Sequence, residues 1–176
     1  MTLSIRLCEA GDEHALNAVG IATFLETFSG VIDGAALINH CREKHAAEVY
    51  ASALANPDHR LWLVGMEPNG APVGYLHMTL PDLPVAYDHR HVEIKRIYLL
   101  GKTQGTGIGR RLMETAFRDA HARGFEEVLL GVYSKNPSIG FYEKLGFRQV
   151  GTRQFDVGGT LYDDYILGRS LVAETA

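Results

Sequence analysis

The chain has 176 residues, of which 46% are hydrophobic and 22% are charged, so we expect a single globular domain over residues 1–176. Its formal net charge is −4 and no basic run stands out, which argues against nucleic acid as a main partner. We also expect a cytoplasmic protein without membrane partners, because the sequence has no leader-like or membrane-spanning stretch and its two cysteines form no disulfide or zinc pattern.

Hydrophobic periodicity in the first half of the chain predicts a mixture of strands and helices. We predict a strand over residues 3–7, helices over 12–28 and 34–54, and a hairpin of two strands over 61–80. The second helix should end before Asn56-Pro57, because a residue that precedes proline disfavours helical backbone. Residues 81–88 are predicted to be a loop interrupted by prolines, and such loops often carry specificity.

The second half continues the alternation. We predict a strand over 91–100, a helix over 107–123, a strand over 127–133, a short helix that starts at Asn136 and Pro137, and final strands over 147–151 and 161–167. Gly158-Gly159 suits the turn of a last hairpin. The fold class is therefore α/β (α+β), with the element order β-α-α-β-β-β-α-β-α-β-β.

A glycine-rich turn joins the strand over 91–100 to the helix that follows, and it reads Gln104-Gly105-Thr106-Gly107-Ile108-Gly109-Arg110. A helix N-terminus presents free N–H groups and the positive end of the helix dipole, so this turn is an anion site. It lacks the Lys-Ser/Thr of a P-loop, and Arg110 stands where a dinucleotide-binding fold needs glycine. A nucleotide-phosphate enzyme is therefore not supported.

This turn, continued by Arg111-Leu112-Met113, resembles the acetyl-CoA pyrophosphate loop of the GNAT N-acetyltransferases. Residues 136–147, NPSIGFYEKLGF, are similar to the second cofactor motif of that family. The resemblance implies the GNAT fold, with a mixed central sheet of about seven strands flanked by about four helices. It also implies acetyl-CoA as co-substrate, a small-molecule amine as acceptor, no metal, and a homodimer as one oligomeric state. Residues 23–28 and 93–99 further resemble the PaiA-type polyamine acetyltransferases.

The resemblance also indicates which residues bind the cofactor. N–H groups of the turn can cap the pyrophosphate, and the guanidinium of Arg110 can contact phosphate oxygens unless it is only a solvated charge. Pantetheine is implied to pair with the main chain of the strand over 94–100. Asn136 either contacts the cofactor or only caps its helix. The candidate cofactor-binding residues are Ile97, Tyr98, Leu99, Gln104, Gly105, Thr106, Gly107, Ile108, Gly109, Arg110 and Asn136.

Acetylation of an amine needs a base, because a primary alkylamine is mostly protonated at neutral pH. Glu93 is the first candidate, and the alternative is an ordinary strand carboxylate or a salt bridge to Lys95 or Arg96. Tyr142 resembles the general acid of the family, which protonates the departing thiolate or stabilises it by a hydrogen bond. The alternative for Tyr142 is a core aromatic residue.

His89, His91 and Glu93 alternate along the predicted strand and suggest a metal site. Side chains at i and i+2 of a strand lie roughly 6.5–7 Å apart, however, which is too far for one ion without bending. We therefore predict no metal. A histidine–water relay to Glu93 is a further alternative, and surface histidines are the simplest interpretation.

The acceptor is expected between the first two helices and the loop over 81–91. Glu26, Asp33, Asp82 and Asp88 lie in these regions and would favour a polyamine or another cationic amine if they converge. Protein N-termini, amino acids and antibiotics remain alternative acceptors. A non-catalytic acyl-CoA-binding module is the alternative from a different class of protein.

Overall fold

A computed structural model describes residues 1–172. Its centre is a seven-stranded sheet in the order β1-β2-β3-β4-β5-β7-β6. The pairing of β4 with β5 is parallel, and every other neighbouring pair in the sheet is antiparallel. The strands are β1 (Leu3–Leu7), β2 (Arg60–Met66), β3 (Ala71–Thr79), β4 (His91–Leu99), β5 (Glu127–Tyr133), β6 (Arg148–Val157) and β7 (Thr160–Ser170).

The helices cover both faces of the sheet. On one face lies α4, whose apolar stripe packs into the main core, and on the other face α1 and α3 pack against β2 and β3. Within residues 1–172 no helix combines the length and the apolar character that crossing a bilayer requires. The helices are α1 (Glu13–Phe28), α2 (Gly34–Lys44), α3 (Ala47–Ala55), α4 (Ile108–Ala122) and α5 (Ile139–Lys144).

The mixed α/β sheet confirms the predicted fold class, but the helix predicted over 34–54 is wrong as a single element. The chain breaks after α2, where Ala46 has extended backbone with φ −61° and ψ 148°. The buried ring of His45 bonds to the hydroxyl of Tyr50 at 2.8 Å, and Asn17 Nδ2 donates to the carbonyl of His45 at 2.6 Å. These contacts hold the break, and the one from Asn17 comes from another helix, so helical periodicity alone could not indicate it.

Element ends also differ near the C-terminus. The short helix predicted from Asn136 begins at Ile139, and the side-chain oxygen of Asn136 instead accepts a hydrogen bond from the N–H of Ser138 at 2.8 Å. Strands β6 and β7 are longer than predicted, because their pairing continues to the turn at Gly158 and Gly159. Both glycines have positive φ, which confirms the expected hairpin turn.

The parallel pairing of β4 with β5 is short. It comprises His91 with Glu127, Val92 with Val128, and Glu93 with Leu129. Beyond Glu93, β4 continues to Leu99 and β5 continues to Tyr133 without pairing with each other, although each remains paired with the strand on its other side. The two central strands therefore separate and leave an opening in the sheet, with unpaired main-chain groups along its sides.

Candidate active site

The glycine turn between β4 and α4 is shaped by backbone that favours glycine. Gly105 and Gly107 have φ of +76° and +83°, and a Cβ built on either would meet nothing within 4 Å. Gly107 is the residue immediately before α4. The turn therefore offers its main chain to an approaching group without side chains in the way.

The N-terminus of α4 is not capped by a side chain. The first backbone bond into the helix runs from Arg111 N to the carbonyl of Gly107 at 3.2 Å, so the N–H groups of Ile108, Gly109 and Arg110 have no acceptor in the helix. The hydroxyl of Thr106 bonds back to the carbonyl of Thr103 at 2.6 Å and does not cap them. Free N–H groups at the positive end of a helix dipole are the arrangement that an anion site needs.

Two contacts anchor the turn to the rest of the fold. Gln104 Nε2 donates to the carbonyl of Leu99 at 3.2 Å, so the Gln104 side chain closes the turn onto the end of β4. Glu26 of α1 accepts a hydrogen bond from the N–H of Gly101 at 2.8 Å. The carboxylate of Glu26 therefore stabilises the chain that leads into the turn.

Gly109 and Arg110 differ in what surrounds them. A Cβ on Gly109 would lie 3.3 Å from both Leu99 Cδ1 and Phe141 Cζ, so this glycine permits close packing of α4. Arg110 is exposed, and its Nη1 lies 3.8 Å from a carboxylate oxygen of Glu114. Its guanidinium is free to turn toward an anion at the helix end, because an exposed pair at this distance is weak.

A β-bulge in β4 decides which of its side chains share a face. Across the ladder with β3, Arg96 faces His77 and Ile94 faces Met78, which leaves Lys95 as the extra residue. After the bulge, Ile97 and Leu99 pack against the core beneath α4. Three residues of β4 lie on the other face, beside alternate residues of β3, and they are Glu93, Arg96 and Tyr98.

Glu93 is a buried carboxylate at the apex of the opening between β4 and β5. Its side chain is 5% exposed, and Oε2 accepts a hydrogen bond from the N–H of Asp82 at 2.9 Å. Burial raises the pKa of Glu93, which this N–H bond only partly offsets. Glu93 forms no salt bridge within residues 1–172. The alternative interpretation, a salt bridge to Lys95 or Arg96, is therefore wrong.

Tyr142 lies on α5, and its ring packs in the core. The ring centroids of Phe141 and Phe147 are 5.4 Å and 6.0 Å away. Burial raises the pKa of Tyr142, with a smaller contribution from Tyr98, so the phenol stays protonated at neutral pH. The ring therefore has the packing of a core residue, while its hydroxyl makes no hydrogen bond to residues 1–172 and is available to a ligand.

The histidines near Glu93 do not contact it. His91 bonds to Asp88 through Nδ1 at 2.9 Å and lies 3.4 Å from Glu127 through Nε2, and His89 is exposed. Neither histidine therefore reaches Glu93 directly, and the histidine–water relay stays an alternative. Across residues 1–172 no cluster of three or more His, Cys, Asp or Glu side chains has the arrangement of a metal site.

Near Glu93, the last hairpin contains two charged residues that the sequence did not indicate. Arg153 of β6 and Asp164 of β7 form an ion pair at 2.8 Å, and Asp164 is buried. Arg153 also lowers the pKa of Glu93 by its charge, although burial is the larger influence. No local pattern marks either residue, because their meeting depends on the register of the last hairpin.

Aromatic rings from several elements close the region between α1, α2 and β6. Phe24 stacks on His40 at a centroid distance of 4.5 Å and meets the edge of Tyr98 at 6.5 Å. His40 in turn lies 5.8 Å from Phe155. Burial raises the pKa of Tyr98 to about 12, so this wall is uncharged at neutral pH.

The carboxylates predicted to attract a cationic acceptor do not gather there. Asp33 caps α2 by accepting from Ala36 N at 3.1 Å, and Asp88 pairs with Arg90 at 2.7 Å. Asp82 donates its main-chain N–H to Glu93, and its exposed carboxylate adds a small contribution to the raised pKa of Glu93. Together with Glu26, these residues form separate local contacts and no common acidic pocket.

Known proteins are similar to this chain in sequence and in fold. The Acetyltransferase (GNAT) family matches residues 32–147. An uncharacterized N-acetyltransferase of Mycobacterium tuberculosis is 35% identical over 124 residues, which cover 70% of this chain and 74% of that protein. A mycothiol acetyltransferase of Acidothermus cellulolyticus is 42% identical over 77 residues, which cover 41% of this chain but 24% of that protein.

Among solved structures, the PaiA N-acetyltransferase of Thermoplasma acidophilum in complex with coenzyme A superimposes with a TM-score of 0.75. The match covers 97% of this chain and 99% of that one at 20% identity, so it establishes the shared fold. The sequence match to the family spans α2 to the end of α5, and so contains the glycine turn and Glu93. The chain therefore belongs to the GNAT family and is an N-acetyltransferase.

Proposed function

We propose that this enzyme transfers an acetyl group directly from acetyl-CoA to a primary amine. The observation that carries the proposal is the opening between β4 and β5, which has Glu93 at its apex and the uncapped N-terminus of α4 at its rim. A thioester at the opening would thus lie between an anion site and a buried carboxylate.

The proposed donor site has two parts. The N–H groups of Ile108, Gly109 and Arg110 would bind the pyrophosphate, with Arg110 adding a guanidinium. The unpaired edge of β4 at Ile97, Tyr98 and Leu99 would hold pantetheine through main-chain hydrogen bonds, as an added strand does. Gln104, Gly105, Thr106 and Gly107 would shape the turn, and Asn136 would hold the start of α5 beside it.

In the proposed reaction, Glu93 takes a proton from the acceptor ammonium directly or through a water molecule. The neutral nitrogen attacks the thioester carbonyl carbon, and the carbon–sulfur bond then breaks. The nitrogen loses its remaining extra proton, the departing thiolate sulfur takes up a proton, and the products are the amide and the thiol of coenzyme A. A base of raised pKa suits this task, because proton transfer is most efficient when the pKa lies near the working pH. Tyr142 would donate its hydroxyl hydrogen bond to the departing sulfur.

For the acceptor we retain a primary amine, and polyamines are the first class to test because of the PaiA resemblance. The dispersed carboxylates described above give a polycation little to bind. Alternative acceptors are amino acids, protein N-termini and antibiotics, and the mycothiol acetyltransferases among the relatives add the acceptor of that enzyme to the candidates.

Thiol release from acetyl-CoA, followed with spermidine, spermine, amino acids, peptides and aminoglycosides, tests the proposal. We expect release with at least one amine, and loss of that release in Glu93→Gln. Binding of coenzyme A without turnover on any amine would instead support a non-catalytic acyl-CoA-binding module.

A further inference from the structure

Arg96 lies on the same face of β4 as Glu93 and Tyr98, which we call the acceptor face. Its positive charge has no acidic partner. Its side chain is partly buried, and no carboxylate in the described part of the chain lies within ion-pair distance of its guanidinium. The other arginine of this face differs, since Arg153 pairs with Asp164 at 2.8 Å. A buried charge without a counter-ion is unfavourable unless another group compensates it.

The neighbours of Arg96 are neutral. Its Nη1 donates to the hydroxyl of Tyr50 at 3.2 Å, and its guanidinium carbon lies 5.7 Å from the centroid of the Tyr50 ring. Burial, and to a smaller extent the charge of Arg96, lower the pKa of His40, His45 and His77, so these rings are uncharged at neutral pH. The protein therefore solvates this charge but does not neutralise it.

Most of the hydrogen-bonding capacity of Arg96 is unused. A guanidinium carries several N–H donors, and the structure shows one hydrogen bond from it. The hydroxyl of Tyr50 also bonds to His45 at 2.8 Å and donates to Tyr75 at 3.0 Å, so with the bond from Arg96 it has no capacity for a further one. No Arg96 nitrogen is among the buried polar atoms that lack a partner, which means that its remaining donors are not sealed inside the protein.

The position of Arg96 relates it to Glu93. Both side chains lie on the same face of β4, opposite His77 and Thr79 of β3. Their Cα atoms are separated by about 10 Å at most, since a strand rises about 3.3 Å per residue. Both side chains are long, so a small acceptor can place its amine at the carboxylate and a second group at the guanidinium.

We propose that Arg96 binds a carboxylate of the acceptor, so that the enzyme acetylates amines that also carry a carboxyl group, such as amino acids. The inference rests on the proposed acetyl transfer to an amine. A single guanidinium among neutral rings balances one negative charge. A carboxylate, which carries one charge, therefore fits better than a phosphate, which carries more than one at neutral pH. The planar fork of the guanidinium also matches carboxylate oxygens in pairs.

The test compares acetylation of L-amino acids with acetylation of the matching L-amino acid amides. The amine of the amide is less basic, so a larger fraction of it is neutral and able to attack at a given pH. Basicity alone would therefore favour the amide, and a preference for the acid would have to come from recognition of the carboxylate. We expect the wild-type kcat/KM to favour the acid by about tenfold to hundredfold, which is the range of a charged hydrogen bond. In Arg96→Gln the ratio of acid to amide should fall toward one, and in Arg96→Lys it should be intermediate.

Arg118→Gln is the matched control, because Arg118 is exposed on α4, which covers the other face of the sheet. It should keep the wild-type ratio. Equal use of acid and amide by the wild type would overturn the inference without any variant, as would a clear preference for polyamines. Equal losses on both substrates in Arg96→Gln would assign Arg96 a structural role instead.

Two further outcomes separate this inference from the proposed function. Thiol release with amines but without preference for the acid would overturn the role of Arg96 alone. Absence of release with every amine would overturn the proposed acetyl transfer and this inference with it. Should Arg96→Gln fail to fold by circular dichroism, the wild-type ratio and the Arg96→Lys variant decide the question.

Discussion

Glu93 pairs with Leu129 at the last rung of the parallel ladder between β4 and β5. The carboxylate is therefore held where the two strands begin to separate, with its oxygen on the N–H of Asp82. This relationship places a buried acid beside the main-chain edge that we propose for pantetheine. Several measurable consequences arise from this geometry and from the glycine turn.

Replacement of Glu93 by Gln should lower kcat by about 10²–10⁴-fold, since this is the usual contribution of a general base. In the wild type, activity should also decline as the pH falls through the raised pKa of Glu93, because protonation removes the base. Steady-state kinetics across pH would measure both effects. Glu48→Gln is a suitable control, because Glu48 is exposed on α3, and a similar loss in that variant would contradict a specific role for Glu93.

The same substitution should stabilise the protein at neutral pH. Because burial raises the pKa of Glu93 in the folded state, the folded protein binds this proton more tightly than the unfolded chain does. The free energy of unfolding should therefore fall as the pH rises from the unfolded pKa of about 4.3 through the folded pKa. In denaturant melts, the free energy of unfolding of Glu93→Gln should exceed that of the wild type at pH 7 and equal it below pH 4. Equal free energies of unfolding at both pH values would argue against the raised pKa.

Tyr142→Phe should reduce kcat by about tenfold to hundredfold, the range of a hydrogen bond to a charged atom, while the affinity for coenzyme A stays near the wild-type value. The thermal midpoint should change little, since the ring keeps its place in the core and the lost hydroxyl has no partner in residues 1–172. Single-turnover kinetics and calorimetry would separate the two properties. Unchanged turnover would leave Tyr142 as a packing residue.

Gly107→Val should abolish the binding of coenzyme A, because the side chain would enter the space at the N-terminus of α4 and the left-handed backbone would be strained by about 1–2 kcal/mol. Gly124 offers a matched control at the other end of the same helix, with φ of +92° and nothing within 4 Å of an added Cβ. Gly124→Val should carry a similar strain yet retain affinity for coenzyme A in titration calorimetry. Equal affinities in the two variants would contradict the phosphate-binding role of the turn.

Acid should destabilise the protein through His45. Burial lowers the pKa of His45 from 6.5 to about 3. The unfolded chain therefore takes up this proton first, and the free energy of unfolding should fall as the pH decreases from about 6.5 toward 3. Between pH 6.5 and pH 5 the loss attributable to His45 should reach about 2 kcal/mol, since one pKa unit corresponds to about 1.36 kcal/mol.

Two variants isolate that contribution. His45→Gln should flatten the pH dependence of denaturant melts, leaving the part that His40 and His77 contribute through their own lowered pKa values. His14→Gln should keep the wild-type slope, because His14 is exposed on α1. A slope unaffected by His45→Gln would show that another group is protonated on unfolding.

The sequence by itself determined the glycine turn, the types of nearly all elements and the family. These features are local, because positive φ at Gly105 and Gly107 and free N–H groups at a helix start depend on neighbouring residues alone. A single segment could therefore indicate an anion site and exclude the P-loop and dinucleotide patterns. Glu93 and Tyr142 could also be proposed from the sequence as candidate base and acid. The sequence could not establish that they are buried, nor choose between these roles and their structural alternatives.

Only the tertiary structure decided what surrounds these residues. The bulge at Lys95 places Arg96 and Tyr98 on the same face as Glu93, whereas strict alternation would place both on the opposite face. The contact of Glu93 with Asp82 and the pair of Arg153 with Asp164 join segments that the fold brings together. The fold also decides that Asp33 and Asp88 make separate local contacts and do not converge. Register and long-range packing set the charge of a site, and neither is encoded in a local pattern.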